Sequence, residues 1–550
     1  GGQIHMLGRL IEPCPFISLS LPTAAIFIAI ILFGGCNSSN RNNGPAAATP
    51  VKHLVVIYME NASFDLIFGT YPDALNPEGE PRFDPRPGTP SVNNLTRVLL
   101  TDNPNESNPF RIERLESFTC DQDHDYTSEQ MARNGGLMDR FVQFDAEPPT
   151  DPRQFCSQNA AGHWDTVMGY FDGNTVTALW NYAQNYAISD NFFATTSGES
   201  TRGHLNLVAA DTFGVVCADY SDVIGPEIPL CGGTVDSTNI PAPTNGKAAT
   251  FNVDVDPFWD ICSNNSPKAT AALGDRPTIG NLLNDDGITW GWFQGGFSLD
   301  SKGKCTSSHP LESYDIANGQ DPAQYHDMIH DYVPHHNPFQ YFRSTANPSH
   351  LSPSSVNMIG KTDQANHLYD ISDLWEAVDA GNLPSVVFIK PPAYQNGHPG
   401  YSDALDAQTF IIDTMNRLMQ LPEWKDMAIF IAWDDSDGWY DHVMPPIINH
   451  SATEFDSLCG DESAGPGGRC GYGPRLPLVV VSPYARENYV SSSLADQTSI
   501  TRFIEDNWLK GQRLTEISFD NRANSLLDLF DFSKRRDDKL ILDPATGRPK

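Results

Sequence analysis

His53-Leu-Val-Val-Ile-Tyr-Met59-Glu60-Asn61 is an apolar run that stops abruptly at a carboxylate and an amide. A second run far along the chain, Ala428-Ile-Phe-Ile-Ala-Trp433, stops in the same way at Asp434-Asp435. Runs of this kind are typical of strands buried in a parallel sheet. Because loops at the ends of such strands build sites, convergence of the two ends would create an all-oxygen site for a divalent cation.

The apolar runs alternate with helical patterns, which predicts an α/β fold. Further candidates are strands at 386–390 and 476–481 and helices at 408–420 and 499–509. Strands that alternate with helices imply a three-layer α/β/α sandwich with a central, mostly parallel sheet. We predict one catalytic domain over 51–550. Within it, 217–275 is rich in Pro, Gly, Asn and Asp and is interpreted as a disulfide-tied insertion with few helical or strand runs.

The N-terminal residues have the features of an export signal. Ala24–Phe33 is an unbroken apolar run, about half of the roughly 20 residues that a membrane-spanning helix needs. Gly34-Gly35-Cys36 resembles a bacterial lipoprotein processing site, and ordinary cleavage nearby is the alternative. We predict a signal peptide over 1–36, membrane attachment through a lipidated Cys36, and a flexible tether over 37–50. The protein is then periplasmic, held at the outer membrane or secreted.

Charge and cysteine content limit the partners and the compartment. The net charge is −34, which argues against nucleic acid as a partner. Apart from Cys14 and Cys36, eight of the ten cysteines remain, an even number that favours disulfides in an exported chain. The sequence contains no Cys-x-x-Cys motif, which argues against a thiolate metal site. On spacing alone we predict two pairs, Cys217–Cys231 and Cys459–Cys470.

The two strand ends also fit simpler interpretations. Glu60-Asn61 fits a helix N-cap segment capped by Asn61 or Ser63, but capping does not explain a glutamate at the end of a strand. Asp434-Asp435 fits a solvated acidic turn, although adjacent carboxylates repel each other and a bound cation relieves that repulsion. We expect one divalent metal ion. Oxygen ligands suit Mg, Ca or Mn, and Fe and Zn also accept carboxylates.

Ser200 is the candidate nucleophile. It lies in Thr195-Thr-Ser-Gly-Glu-Ser200-Thr-Arg-Gly-His204, which alone is an ordinary loop sequence. No Gly-x-Ser-x-Gly elbow lies nearby, so a hydrolase triad is not suggested. Next to a metal ion, however, a serine alkoxide is stabilised and becomes a nucleophile.

Three histidine-containing turns complete the set of candidates. Single loop histidines are usually surface or capping residues, but imidazolium groups near a metal suit phosphate binding and leaving-group protonation. Adjacent histidines also occur in zinc sites, although no His-x-x-x-His or Glu-x-x-His pattern supports one here. The turns contain His124, His335-His336 and His398.

Taken together, these segments resemble the bacterial phosphoesterase family that contains respiratory-burst-inhibiting acid phosphatases and phosphatidylcholine-type phospholipases C. The resemblance covers about 51–510. Two motifs, His335-His336-Asn-Pro-Phe339 and Gly397-His398-Pro-Gly-Tyr401, are closer to the acid phosphatase branch. The strongest matches are Val55–Gly69, Asp123-His124-x-Tyr126, Ser200, His335-His336, Asp434–His442 and Gly473–Pro483.

The resemblance implies an alkaline-phosphatase-like fold with a metal-dependent site. Arg202-Gly203 stands where the family often has Pro-Asn, and Ala62 where Arg is common, which puts the substrate contacts in doubt. Ser200 would be the nucleophile, and further substrate-binding candidates are His335 and His204. The implied metal ligands are Glu60, Asn61, Asp434 and Asp435, and the residues at the phosphate are His124, His336 and His398.

These expectations together predict that the protein is a phosphoesterase. The leading hypothesis is an acid phosphatase that hydrolyses phosphate monoesters through a phosphoseryl intermediate on Ser200, with His336 or His398 protonating the leaving alcohol. The alternative is a phospholipase C that cleaves phosphatidylcholine-type lipids with the same machinery. A third hypothesis is a surface lipoprotein that binds phosphorylated ligands without turnover.

Overall fold

The computed structural model describes residues 47–218, 249–250, 253–263, 270–274, 276–310, 328–451 and 468–550. The predicted signal peptide, Cys36 and most of the tether lie outside these residues and stay predictions. Cys231 and Cys459 also lie outside them, so the two proposed pairings stay predictions as well. Within the described ranges, no helix combines the length and apolar character needed to cross a bilayer.

Eight of the strands form one central sheet. The strands in chain order are β1 (His53–Met59), β2 (Phe110–Arg111), β3 (Gly169–Tyr170), β4 (Ala187–Ser189), β5 (Phe192–Phe193), β6 (Phe213–Ala218), β7 (Ala249–Thr250), β8 (Asp256–Pro257), β9 (Thr270–Leu273), β10 (Trp290–Gln294), β11 (Ser308–Pro310), β12 (Met328–His330), β13 (Leu368–Asp370), β14 (Val386–Lys390), β15 (Met427–Trp433), β16 (Leu478–Val481), β17 (Tyr489–Ser491) and β18 (Ala495–Asp496). The spatial order in the central sheet is β13-β10-β14-β1-β15-β16-β4-β17.

The central sheet is mostly parallel, as the sequence predicted. Its first five strands, from β13 to β15, run in one direction. β16 is antiparallel to both of its neighbours, which returns β4 and β17 to the common direction. Every residue of β14, β15 and β16 is buried. Because successive side chains point to opposite faces, both faces of the sheet are covered.

Helices form the covering layers. In chain order they are α1 (Phe64–Phe68), α2 (Arg97–Thr101), α3 (Ser128–Arg133), α4 (Phe141–Phe144), α5 (Thr177–Asn185), α6 (Ser200–Ala209), α7 (Ile279–Asp285), α8 (Ile371–Asp379), α9 (Ala404–Gln420) and α10 (Gln497–Trp508). α6 packs against α7 and α10, and α5 packs against α9. In α9, Ile411, Met415 and Leu418 are buried at helical spacing, which fixes the face it turns to the core. The predicted α/β sandwich is confirmed.

The predicted element ends differ from the observed ones by a few residues. The helix expected at 408–420 begins earlier, at Ala404, because the Asp403 side chain accepts a hydrogen bond from Leu405 N and caps it. The strand expected at 476–481 is shortened to Leu478–Val481, since Pro477 has no N–H for the ladder.

A small second sheet lies in the region predicted to be an insertion. Its strand order is β7-β6-β9-β8, so the described parts of 217–275 contain more strand than the composition indicated. A disulfide, Cys262–Cys305, links this region to the residues after β10. A second disulfide, Cys120–Cys156, joins the segment that carries His124 to a neighbouring loop.

Candidate active site

The two strand ends meet because β1 and β15 are neighbouring parallel strands. Met59 is in register with Trp433, so Glu60 and Asp434 leave the sheet side by side. Asn61 N donates to Asp434 Oδ1 at 3.1 Å, and Asp435 N donates to the same oxygen at 2.9 Å. All four predicted ligands are at most 1% exposed. The structure therefore excludes the solvated acidic turn and brings these residues together in one buried centre.

Ser200 joins this centre from the first turn of α6. Its hydroxyl lies 3.1 Å from Glu60 Oε2, 3.3 Å from Asn61 Oδ1 and 2.9 Å from Asp435 Oδ2. A hydroxyl has one hydrogen, so it can donate to only one of these three oxygens at a time. The other oxygens face its lone pairs, an arrangement that a cation between them stabilises.

Unpartnered atoms also show that the donor set fits a divalent cation. Asp434 Oδ2 is buried and has no hydrogen-bond partner among the described residues. Burial, together with the neighbouring charge of Asp434, raises the pKa of Asp435 well above its usual range. Buried carboxylates of this kind are expected to bind a cation or a proton. Glu60, Asn61, Asp434 and Asp435 supply the oxygen donors that Ca, Mg or Mn prefers.

Lys390 belongs to the same centre, and the sequence analysis did not identify it. It is the last residue of β14, which pairs with β1 on the side opposite β15. Its ammonium contacts Glu60 Oε1 and lies 3.8 Å from Asp434 Oδ2, fully buried. Burial lowers its pKa to about 8, while the charges of Asp434 and Asp435 act to raise it. The sequence could have identified Lys390, because Val386–Lys390 is a third apolar run that ends in a charged residue.

His204 and His336 lie near Glu60 Oε1, the oxygen that Lys390 contacts. Their rings stack with centroids 5.1 Å apart and planes 3° from parallel. His204 Nδ1 donates to the Ser200 carbonyl at 2.7 Å, and its Nε2 lies 3.8 Å from Glu60 Oε1. His336 Nδ1 lies 3.3 Å from the same oxygen. Burial lowers the pKa of both histidines, which favours neutral rings.

His124 lies beside Asn61, and His398 lies beside His124. Asn61 Nδ2 is 3.4 Å from His124 Nε2 and donates to Asp437 Oδ1 at 2.9 Å. The rings of His124 and His398 meet edge to face at 6.1 Å, and His398 stacks on Tyr401 at 4.2 Å. Burial acts to lower the pKa of His124, but the charges of Asp435 and Asp437 outweigh it and raise the pKa. Burial lowers the pKa of His398.

His335 is positioned differently from its neighbour His336. Its ring lies 3.2 Å from Asp254 and 3.2 Å from Asp256 and pairs with them instead of with the predicted ligands. Burial acts to lower its pKa, but the charge and hydrogen bond of Asp254 and Asp256 raise it to about 10. Asp254 also accepts a hydrogen bond from Thr201 N at 2.8 Å, so this ion pair lies beside the residue that follows Ser200 in the chain.

The departures from the family pattern have structural explanations. A Cβ at Gly203 would overlap the Asp434 carbonyl, so glycine lets α6 approach the strand end closely. The Arg202 guanidinium is buried and lies 4.4 Å from the centre of the Tyr126 ring. Ala62 is also buried, and its N donates to the Asp435 carbonyl at 3.0 Å. Gly203 and Ala62 thus contact the segment that carries Asp434 and Asp435, while Arg202 packs on the segment that carries His124.

A second charged cluster supports the same loops and was also missed. Arg475 donates to Asp65 at 2.9 Å and to Asp441 at 3.1 Å, and His442 Nδ1 lies 2.6 Å from Asp65. Asp65 belongs to α1, just after Glu60-Asn61, and Asp441 follows Asp434-Asp435. The guanidinium therefore provides a second link between the two segments that carry the predicted ligands.

The chain belongs to the phosphoesterase family, whose profile matches residues 51–509. It is 23% identical over 483 residues to a non-hemolytic phospholipase C of Burkholderia pseudomallei, covering 85% of this chain and 56% of that protein. It is 23% identical over 486 residues to phospholipase C B of Mycobacterium tuberculosis, covering 84% of this chain and 74% of that protein. A non-hemolytic phospholipase C of Pseudomonas aeruginosa is 22% identical over 471 residues, covering 83% of this chain and 53% of that protein.

Proposed function

We propose that this protein is a metal-dependent phosphoesterase, and specifically an acid phosphatase that hydrolyses phosphate monoesters through a phosphoseryl intermediate. The observation that carries the proposal is the position of Ser200 Oγ, within 3.3 Å of oxygens from Glu60, Asn61 and Asp435. A serine placed against three oxygen donors at a strand edge is suited to phosphoryl transfer.

One divalent cation would be held by Glu60, Asn61, Asp434 and Asp435. When bound, it supplies positive charge to the serine oxygen and to the phosphate. Ser200 Oγ, after loss of its proton, attacks phosphorus, and the bond from phosphorus to the leaving alcohol breaks. Water then forms a new bond to phosphorus, and Ser200 Oγ is released with its proton restored.

The histidines surround this centre on two sides and supply contacts for phosphate and leaving group. We assign leaving-group protonation to His398, whose ring meets that of His124 at 6.1 Å and keeps 9% of its surface exposed. His336 lies 3.3 Å from Glu60 and is assigned to positioning that carboxylate and to binding phosphate. His124, His335 and His204 complete the proposed substrate surroundings.

Ser200→Ala tests the nucleophile directly. With p-nitrophenyl phosphate as substrate, kcat is expected to fall by at least about 1000-fold, as in other enzymes that lose a nucleophilic serine. Ser372→Ala is the matched control, since Ser372 is also a first-turn helix serine but is exposed. Full activity of Ser200→Ala would overturn the mechanism. Activity that survives exhaustive chelation would separately refute the metal.

Phospholipase C activity is the second candidate, and the similarity to named phospholipases C favours it. The machinery would be the same, and only the alcohol that leaves would differ. Release of diacylglycerol from phosphatidylcholine vesicles, with little action on p-nitrophenyl phosphate, would decide for this alternative. Mass spectrometry of the mature N-terminus tests the associated proposal that Cys36 is lipidated after export.

A further inference from the structure

The Lys390 ammonium lies among four groups that could themselves bind a metal ion. It contacts Glu60 Oε1 and is 3.8 Å from Asp434 Oδ2. His204 Nδ1 lies 3.4 Å from Asp434 Oδ2, and its Nε2 lies 3.8 Å from Glu60 Oε1. His336 Nδ1 lies 3.3 Å from the same Glu60 oxygen. Ligand atoms of Glu60, His204 and Asp434 all lie within 4.8 Å of one another, which is metal-ligand spacing.

Hydrogen bonding leaves several possible ligand atoms of this group without a partner among the described residues. The Ser200 carbonyl can only accept, so His204 Nδ1 carries the hydrogen and Nε2 is free to bind a cation. Nε2 of His204, Nε2 of His336 and Oδ2 of Asp434 are buried without a hydrogen-bond partner among the described residues. Two imidazoles and two carboxylates form a donor set of the zinc type. In the structure, the cation beside the two carboxylates of this set is the Lys390 ammonium.

We propose that the Lys390 ammonium takes the place of a second metal ion and limits the centre to one divalent cation. The inference rests on the proposed function, which places that single cation on the Ser200 side of Glu60. Glu60 divides its oxygens accordingly, because Oε2 faces Ser200 and Oε1 faces Lys390. Removing the ammonium should therefore create a second, nitrogen-rich site built from Glu60, Asp434, His204 and His336.

The charges in the centre agree with this division. Glu60, Asp434 and Asp435 bring three buried negative charges. One divalent cation and one ammonium balance them, whereas two divalent cations would leave an excess of positive charge before substrate binds. Unlike a metal ion, the ammonium accepts no lone pair, so Lys390 contributes its charge through N–H groups that donate to Glu60 Oε1 and lie near Asp434 Oδ2.

Metal content of the purified full chain tests the proposal. Wild type and variants are saturated with Zn²⁺, freed of weakly bound ions by gel filtration and measured by inductively coupled plasma mass spectrometry. We expect one zinc per chain in wild type and two in Lys390→Ala. Propylammonium, which replaces the missing part of the lysine, should return Lys390→Ala towards one. The double variant Lys390→Ala/His204→Ala should also bind one, because the second site lacks a ligand.

Each outcome decides a specific point. Two zinc ions in wild type, or one in a Lys390→Ala protein that melts cooperatively, would overturn the inference. No bound zinc in wild type would refute the proposed metal centre as well. Anomalous diffraction from wild-type crystals does not depend on the variant folding. It should place one ion beside Ser200 with the ammonium between Glu60 and Asp434, and an ion at the ammonium position would overturn the proposal.

Discussion

Ser200 Oγ lies 2.9 Å from Asp435 Oδ2, although 235 positions separate the two residues in the chain. The sheet makes this possible, because β15 carries Asp435 to the edge where β1 carries Glu60. α6 then places Ser200 against both, with a glycine at 203 that permits the close approach. The proposed nucleophile and the proposed metal ligands are thus brought together by neighbouring strands of the core and by α6.

Asp435→Asn should lower metal affinity and activity together. It removes one negative charge from the predicted ligand set and keeps the side-chain shape. Loss of affinity should exceed the roughly 10–100-fold that changes in outer-shell partners cost. Titration against a fluorescent chelator measures it. Asp426→Asn is the control, since Asp426 precedes the other end of β15, and unchanged affinity in both variants would remove Asp435 from the ligands.

His398→Gln should affect substrates according to their leaving group. An alkyl phosphate needs a proton on its departing oxygen, whereas p-nitrophenolate leaves without one. General acids contribute about 100- to 10,000-fold, so we expect a loss of at least about 100-fold on the alkyl ester and far less on p-nitrophenyl phosphate. His336→Gln is the comparison and should reduce both activities equally, because His336 contacts Glu60. Equal losses in His398→Gln would contradict its assignment.

The sequence was most informative for the site residues that directly follow an apolar strand. An apolar run that ends in carboxylates predicts that those carboxylates lie at a sheet edge, because a buried parallel strand ends there. That rule placed Glu60, Asn61, Asp434 and Asp435 at a sheet edge, the resemblance implied that they form one ligand set, and the structure shows that their two strands are neighbours. The same rule applied to Val386–Lys390 would have placed Lys390 at this edge. The lysine was missed because a cation beside an expected cation site is not what charge patterning suggests.

The remaining site residues depend on contacts that no local pattern records. His204 faces Glu60 because Ser200 begins a helix and the fourth residue after it lies on the same side, whereas the sequence Thr195–His204 alone predicts a loop. Arg475 bonds Asp65 and Asp441 across three separate segments. Such pairings depend on strand order, which the sequence did not determine.

Arg475→Met should destabilise the fold strongly. It leaves the buried carboxylates of Asp65 and Asp441 without their shared guanidinium, and breaking a buried pair in this way costs about 3–5 kcal/mol. The exposed pair of Arg417 and Asp379 provides the control, and Arg417→Met should cost no more than about 1 kcal/mol. Urea unfolding followed by tryptophan fluorescence compares the two. A loss in Arg475→Met as small as that of the control would show that the network is dispensable.

His367 should make the fold sensitive to mild acid. Its ring is buried against Trp290 with centroids 4.4 Å apart, and Nδ1 donates to the Trp290 carbonyl at 2.9 Å. Burial lowers its pKa to about 4 from the ordinary 6.5. Between these values the unfolded chain binds a proton that the folded protein excludes. The stability is therefore fully present above the ordinary pKa and is lost as the pH falls towards about 4.

His367→Asn should reduce this dependence and retain the backbone, because the residue has φ 68° and asparagine tolerates that left-handed conformation. Between pH 7.5 and 5, the free energy of unfolding of wild type should fall by about 2 kcal/mol more than that of the variant. Equilibrium denaturation at the two pH values measures the difference. The same replacement at the largely exposed His163 should leave the pH dependence as it is in wild type. If His367→Asn loses as much stability as wild type over this interval, the proton is taken up elsewhere and His367 is not the group responsible.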